Sequence, residues 1–281
     1  MKSTLLYDEI SANDTALDNL YSEHVKIKDK ELPFLPMLDE VMYAEKKMLF
    51  YKLIQKFDPK KTSSAIAFIF TEPISAMHNP DANTIMIPLG FVQYPIFDPS
   101  FPWAFNYGSV GFTIAHEILH GFENEGIEYD YEGERKKWYK DEWIRKFAEK
   151  AVCYIKQYNN KTIPIFNRRV DGVLKLQENM ADNEGMKIAY RAFKEHRKKY
   201  GEDARTDFVE DFTNDQLFFL SSAMEFCTKD SDLTLYYDLR YSHSSSVYRM
   251  NNVALNTPGF ASSFFCPPGS QMNPHERCSV W

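Results

Sequence analysis

Residues 111–122 read Gly-Phe-Thr-Ile-Ala-His-Glu-Ile-Leu-His-Gly-Phe, an apolar run that contains two histidines and one glutamate. Side chains four residues apart lie on one face of a helix, so a helix here would direct His116 and His120 to the same side. Two imidazoles on successive turns can bind one zinc ion, and the carboxylate of Glu117 stands beside them as a general base. The stretch therefore predicts a helix that carries two ligands of a catalytic metal.

The composition is that of a mildly acidic globular protein. The 281 residues are 44% hydrophobic and 15% aromatic, which allows a sizeable core, and the formal net charge is −7. The sequence contains no basic stripe and no apolar run long enough for a bilayer, so we expect neither a nucleic-acid partner nor a transmembrane segment. The first nine residues lack the apolar core of a signal peptide. Two sequons, at Asn13 and Asn160, are typical of secreted glycoproteins but are also common by chance.

Helical periodicity dominates the rest of the chain. We predict helices over residues 15–26, 34–56, 107–124, 138–158, 172–199 and 211–226, strands over 65–70 and 84–88, and little regular structure after 228. Residues 79–83 have the composition of a turn, so the strands would form an edge beside the histidine helix. Such an edge can pair with an extended peptide. The pattern predicts a mainly α-helical chain with a small β-sheet, an α+β fold.

A second helical segment supplies acidic partners for the histidines. A catalytic zinc ion keeps three protein ligands and one open position, and Glu178 is the natural third ligand. Asp182 lies one turn further on and could accept the free ring N–H of a zinc histidine. On their own, two acidic residues on one helix face more often belong to a solvated surface. Because the His-Glu-x-x-His motif lies upstream, we instead favour a role at the metal site for Glu178 and Asp182.

Hydrolysis at such a centre needs a proton carrier and a stabiliser of developing negative charge. Glu117 would take a proton from the water that zinc acidifies and pass it to the leaving amine. His243 and Arg249 are candidate donors to the oxyanion, although on sequence alone either is as easily a surface residue.

These residues, with several other segments, resemble the neprilysin/endothelin-converting-enzyme family of zinc metallopeptidases. The matching segments are 106–108, 116–122, 178–185, 189–192, 216–220 and 272–281. The resemblance extends from about residue 60 to the last residue, whereas residues 1–60 match loosely. It implies an N-terminal helical segment at 1–60 and a zincin-like, thermolysin-like catalytic domain at 61–281, with one zinc ion and peptide substrates.

The resemblance also assigns roles residue by residue. The implied zinc ligands are His116, His120 and Glu178, with Glu117 as the base, Asp182 orienting a zinc histidine, His243 stabilising the oxyanion and Arg249 binding a substrate carbonyl. The implied substrate contacts are Ser75 and Ala76 on the edge strand and Phe91, Ile96, Thr113 and Phe226 around the residue after the scissile bond. The implied disulfide joins Cys153 to Cys278. Cys227 and Cys266 resemble cysteines whose partners lie in the absent part of the family's sequence, so we expect these two to be unpaired here.

Four departures from the family concern substrate preference and efficiency. Ser75 stands where the family has an asparagine, and serine has no amide that could both donate to and accept from a substrate backbone. Glu123 stands in place of an aspartate, and Thr113 and Glu225 occupy positions that are usually apolar. Family members also carry a membrane anchor or signal and a second lobe over the active site. The resemblance therefore implies a missing N-terminal capping lobe and an extracellular or cell-surface location.

Three functional hypotheses follow from the sequence. The first is a zinc-dependent metalloendopeptidase that hydrolyses oligopeptides and prefers an apolar residue after the scissile bond. The second is a catalytically weak or inactive neprilysin-like paralogue that binds zinc or peptide and lacks the capping lobe. The third is a helical scaffold that contains the motif by chance. The intact base Glu117 favours the first.

Overall fold

The computed structural model describes residues 2–5, 15, 18, 22, 32–54, 75–88, 90–203 and 211–281. The chain divides into two compact units, residues 1–3 with 74–281, and residues 4–73. The smaller unit contains helix α1, Phe34–Ile54, as predicted. The predicted strand at 65–70 and most of the predicted helix at 15–26 lie outside the described residues.

A β-hairpin precedes the helices of the larger unit. Strand β2, Met77–Asn79, pairs antiparallel with β3, Thr84–Ile87. Strand β1, Lys2–Leu5, begins in the larger unit, and the order β1–β3–β2 places β2 at the edge of the sheet. The turn forms because Asn83 adopts a left-handed conformation with φ 46° and the Asn79 side chain accepts the Ala82 N–H at 3.0 Å.

Helices make up most of the remaining chain, which confirms the predicted mainly helical fold. The helices are α2 Trp103–Gly108, α3 Val110–His120, α4 Asp141–Asn159, α5 Leu176–Tyr200, α6 Asn214–Glu225, α7 Asp232–Asp238, α8 Ser246–Asn256 and α9 Pro258–Ser263. Between α4 and α5 the short strands β4, Thr162–Ile163, and β5, Arg168–Arg169, pair antiparallel. Single 3₁₀ turns occupy Gly126–Glu128 and Pro164–Phe166.

The helix predicted over 107–124 is divided in two. The break falls at Ser109, where φ is −97° and ψ is −100°, outside the helical region. Gly108, directly before the break, has no room for a side chain, since a Cβ atom there would lie 2.0 Å from the carbonyl oxygen of Phe218. Helix α2 thus packs directly on the backbone of α6, and the chain turns at Ser109 before α3 begins.

The prediction of little regular structure after residue 228 is wrong, because α7, α8 and α9 lie there. Helix α7 begins at a cap in which the Ser231 hydroxyl accepts the Thr234 N–H at 3.2 Å. Helix α8 buries Asn252 and Asn256 on its inner face. Polar residues on the buried side hide the apolar periodicity that would have indicated a helix.

Two apolar clusters form the core of the larger unit. The first contains Ala104, Phe112, Ala115, Met186, Ala189, Phe193, Leu217, Phe218, Phe219 and Val253. The second contains Ala151, Tyr154, Tyr158, Ile163, Val170, Leu176, Met180, Cys278 and Val280. Helix α5 contributes to both clusters and is therefore the central element, with one face toward α3 and another toward α4.

The last residues of the chain are fastened to this core. Cys153 and Cys278 form the disulfide that the family resemblance implies, while Cys227 and Cys266 carry free thiols. Beyond Cys278, the Val280 N–H donates to the buried Glu184 carboxylate at 2.7 Å.

Two further sequence features are placed by the structure. Asn160 of the second sequon is exposed at the end of α4, and Asn13 lies outside the described residues. Within the part of the chain that the structure describes, no helix combines the length and the apolarity needed to cross a membrane.

Candidate metal centre and active site

The site forms where α3 and α5 pack against each other. A Cβ atom on Gly185 would lie 3.0 Å from the backbone nitrogen of His116, so the glycine allows a close approach of the two helices. Glu178 lies two turns before Gly185 on the same helix. The close approach therefore brings Glu178 within reach of the histidines of α3.

Three side-chain atoms converge between these helices. The Nε2 atoms of His116 and His120 are 3.0 Å apart, and Glu178 Oε2 lies 3.4 Å from the first and 3.7 Å from the second. Two imidazole nitrogens that face each other at this distance need a shared proton or a cation between them. Two imidazoles and one carboxylate are also the ligand set of many catalytic zinc ions. These residues could hold a metal ion and fit a single zinc.

Each candidate ligand histidine has a carboxylate beside its other ring nitrogen. Asp182, completely buried, lies 2.9 Å from His116 Nδ1, and Glu123 lies 3.7 Å from His120 Nδ1. Such carboxylates fix the tautomer and orientation of a metal-binding imidazole. The sequence predicts this role for Asp182 but indicates none for Glu123. The spacing of three residues between His120 and Glu123 is the signal that could have indicated a role for Glu123 beside His120.

The electrostatics of the metal-free site favour one retained proton. Burial opposes the charged form of His116, but Asp182 and Glu178 outweigh burial and raise its pKa to about 9. Burial also opposes ionisation of Glu178, yet hydrogen bonds from His116 and His243 hold its pKa well below the usual range. A cation that binds between the histidines must displace this proton, so metal binding is coupled to proton release.

Glu117, the candidate general base, follows His116 directly on α3. It is buried, and burial raises the pKa of its carboxyl, although the charges of His116 and His120 oppose that shift. A carboxylate that holds a proton more readily than usual is suited to accept a proton near neutral pH and to return it.

The two downstream candidates both lie at the site. His243 Nε2 is 2.9 Å from Glu178 Oε2, while half of the His243 side chain is exposed. Arg249 donates from Nε and Nη2 to the two oxygens of Asp182, at 2.6 and 2.7 Å, and its guanidinium lies 5.0 Å from the Phe226 ring centroid. The bidentate Asp182–Arg249 pair was not anticipated from the sequence, because 67 residues separate its partners.

The edge strand β2 lies beside α3, the helix that carries His116 and His120. Ser75 and Ala76 directly precede β2, Ser75 is exposed, and β2 contacts α3. The same strand carries His78, a residue to which no sequence motif gives a role. Burial and the nearby charge of His120 lower the pKa of His78 to about 4, so its imidazole is neutral at pH 7. No spacing pattern in the sequence links His78 to His120.

The predicted pocket residue Thr113 contacts a carboxylate, that of Glu225, so its surroundings are not purely apolar. The Thr113 hydroxyl donates to Glu225 Oε2 at 3.2 Å, and Ser109 Oγ lies 3.1 Å from Glu225 Oε1 and 2.7 Å from the carbonyl oxygen of Ile96. Burial raises the pKa of Glu225 to about 7, against the opposing hydrogen bonds of Ser109 and Thr113. A serine hydroxyl has one proton, so a bond to Ile96 leaves Glu225 to supply the proton for the other contact.

The aromatic members of the predicted pocket are not all brought together. The Phe226 ring, next to Glu225 in sequence, lies 6.0 Å from Phe112 on α3. Phe91 is half-buried in the loop after β3, and among the described residues no ring contact joins it to Phe226.

We expect Glu225→Gln to stabilise the metal-free protein at pH 8 but not at pH 5. Because the folded pKa of Glu225, about 7, exceeds its ordinary value of 4.5, the folded state holds a proton that the unfolded state releases, and stability falls as pH rises between these values. The glutamine variant avoids this decrease in the free energy of unfolding, which amounts to at most about 3 kcal/mol. Urea unfolding with EDTA present measures the difference.

The control for this comparison is Glu195→Gln, at an exposed position on α5. It should change stability equally at the two pH values. An equal effect of Glu225→Gln at pH 5 and pH 8 would show that the Glu225 carboxyl titrates normally.

A sequence model described as peptidase family M13 matches residues 75–280, well over half of the chain. The chain belongs to peptidase family M13. This M13 chain is 33% identical to Neprilysin-11 of Caenorhabditis elegans over 282 residues, spanning 100% of the chain and 32% of that relative. It is 31% identical to Endothelin-converting enzyme 1 of Bos taurus over 280 residues, spanning 98% of the chain and 35% of that relative. The M13 chain thus spans about a third of the length of these relatives.

Solved structures share the fold of this M13 chain. The zinc metalloprotease Zmp1 of Mycobacterium tuberculosis, in complex with an inhibitor, aligns with a TM-score of 0.72 at 26% identity, over 86% of this chain and 36% of that chain. A galactose-containing glycoprotein complex of Haemonchus aligns with a TM-score of 0.82 at 27% identity, over 100% of this chain and 45% of that chain. The family and the fold class expected from the sequence are confirmed.

Proposed function

We propose that this M13 chain is a zinc-dependent metalloendopeptidase domain, extending over residues 61–281, that hydrolyses peptide bonds of oligopeptides. The observation that carries the proposal is the convergence of His116, His120 and Glu178 around a common point, with the buried Glu117 next to His116 in the sequence. Membership of a family that includes neprilysins and endothelin-converting enzymes supports the same reaction.

Different residues of the chain contribute to different steps of hydrolysis. Zinc, when bound, polarises a carbonyl and lowers the pKa of a water molecule to about 7. Glu117 accepts a proton from the attacking water as the new C–O bond forms, and returns it to the amine nitrogen as the C–N bond breaks. His243 donates a hydrogen bond to the developing oxyanion, in place of its contact with Glu178. Asp182 keeps the ring of His116 oriented.

Substrate binding is proposed to use the edge strand and the pocket behind it. An extended peptide would pair with β2 near Ser75 and Ala76. Arg249 uses Nε and Nη2 for Asp182 and would offer its remaining N–H groups to a substrate carbonyl. The residue after the scissile bond would face Thr113 and Phe226, with the other pocket residues Phe91 and Ile96 nearby.

The relatives also suggest where such a domain would act. They are about three times as long as this chain, which supports a capping lobe supplied by additional sequence. An extracellular or cell-surface location is proposed by analogy with the family.

The test combines zinc analysis with peptide cleavage. Purified protein should contain about one zinc ion per chain and cleave an internally quenched oligopeptide. EDTA should abolish cleavage, and added zinc should restore it. Zinc binding without cleavage would favour the second candidate, a neprilysin-like zinc- or peptide-binding protein, for which the exposed Ser75 in place of an amide-bearing anchor is the motivating observation. Failure to bind zinc would overturn the proposed function and would leave the second candidate only as a peptide-binding protein.

A further inference from the structure

We infer that Lys175 is a positioning residue, which holds the loop that carries His243 against the helix that carries Glu178. The inference rests on the proposed function for the role of His243, although the contacts themselves do not depend on it. Lys175 directly precedes α5 and is 1% exposed, an unusual environment for an ammonium group.

The Lys175 ammonium group donates to three backbone carbonyls of one segment. Nζ lies 2.7 Å from the carbonyl oxygens of both Tyr241 and His243, and it also bonds the carbonyl of Asp238. An ammonium group has three donors, and all three are used. Asp238 is the last residue of α7, so the positive charge also lies at the negative end of that helix. One side chain thus fixes the segment from the end of α7 to His243.

A second contact fastens the same loop one turn further along α5. The Ser244 hydroxyl donates to the Asn179 side-chain oxygen at 2.8 Å, and both residues are buried. Lys175 and Asn179 therefore hold the loop on either side of Glu178 in the sequence. Because half of the His243 side chain is exposed, packing around its ring is limited. The backbone attachment is what keeps His243 Nε2 2.9 Å from Glu178.

The energetics explain why a lysine rather than an apolar residue serves here. Burial of an ammonium is costly, and it lowers the pKa of Lys175 despite the charges of Asp238 and Asp171. Loss of the ammonium would leave three carbonyls of the loop without their common donor. A methionine has a similar length and flexibility but donates no hydrogen bond. Lys175→Met therefore removes the attachment while largely preserving the volume.

The test is a double-mutant cycle between Lys175 and His243. In the zinc-loaded protein, Lys175→Met should lower kcat for a quenched peptide about ten- to a hundredfold with little change in KM, because His243 acts on the transition state. In a His243→Ala background the same substitution should change kcat less than about twofold. Lys156→Met, at an exposed position on α4, is the matched control and should leave kcat unchanged.

A second readout does not require activity. Amide hydrogen exchange of residues 238–245 in metal-free Lys175→Met should be faster than in wild type, with α3 and the rest of α5 unchanged. Lys175→Arg keeps hydrogen-bond donors at this position, so it should recover part of the kcat that Lys175→Met loses. If the methionine variant does not fold, Lys175→Arg replaces it in the double-mutant cycle.

Two results would overturn the inference. One is an equal loss of kcat in the wild-type and His243→Ala backgrounds, and the other is unchanged exchange of the loop. If wild-type protein cleaves no peptide, the proposed function fails on its own, and the exchange measurement still decides whether Lys175 positions the loop.

Discussion

Glu117→Gln should lower kcat for peptide hydrolysis by about 10²–10⁴-fold while the protein still binds one zinc ion per chain. Glutamine preserves the size and burial of the side chain but cannot accept the proton of the attacking water. Glu117 is not one of the three residues whose ligand atoms converge, so the affinity of the protein for zinc should change little. Steady-state cleavage of a quenched peptide and zinc analysis by mass spectrometry measure the two quantities on one sample.

The control for that experiment is Glu149→Gln, at an exposed position on α4, which should match wild type in both measurements. Undiminished cleavage by Glu117→Gln would assign the proton transfer to another group. Loss of zinc together with activity would show instead that Glu117 supports the metal, and the role of general base would have to be withdrawn.

Asp182→Asn should weaken zinc binding and destabilise the fold at the same time. The carboxylate lies 2.9 Å from His116 Nδ1, and loss of such a partner typically lowers metal affinity about 10–100-fold. The same carboxylate accepts hydrogen bonds from Nε and Nη2 of the partly buried Arg249, and breaking a buried ion pair costs about 3–5 kcal/mol. Zinc competition with a chelator measures the first effect, and urea unfolding in EDTA measures the second.

A second substitution separates these two effects. Adding Arg249→Met to Asp182→Asn removes the unpaired charge, so stability should recover by a substantial part of the loss, whereas zinc affinity should remain low. If the double variant is no more stable than Asp182→Asn, the unpaired guanidinium is not the source of the destabilisation. Zinc affinity that recovers with stability would mean that the carboxylate acts through folding rather than through His116.

The candidate metal-binding part of the site could be predicted because its residues lie close together in the sequence. His116, Glu117 and His120 lie within two helical turns, and Glu178 and Asp182 within another two. Those spacings indicate the chemistry before any tertiary contact is known. The structure adds Gly185, whose missing side chain allows the two helices to approach closely enough for the motifs to meet.

The remaining features depend on contacts between distant segments. Lys175 appears in the sequence as an ordinary polar residue near a helix start, and its importance is set by three carbonyls more than sixty residues away. Helix α8 was missed because Asn256 faces inward, where it is satisfied by Asn183 and by the backbone of Cys278. Hydrogen bonds of this kind replace apolar burial without leaving a periodic signal.

The attachment of the last residues to the core has a consequence for the order of synthesis. Glu184 on α5 accepts the Val280 N–H, and Cys278 on the same terminal segment bonds covalently to Cys153. A ribosome makes α3 and α5 long before it makes these partners. Packing around α3 and α5 is therefore completed only once residues 278–280 have been made. Formation of the candidate site is expected to be paced by the arrival of these residues and by thiol oxidation rather than by helix formation.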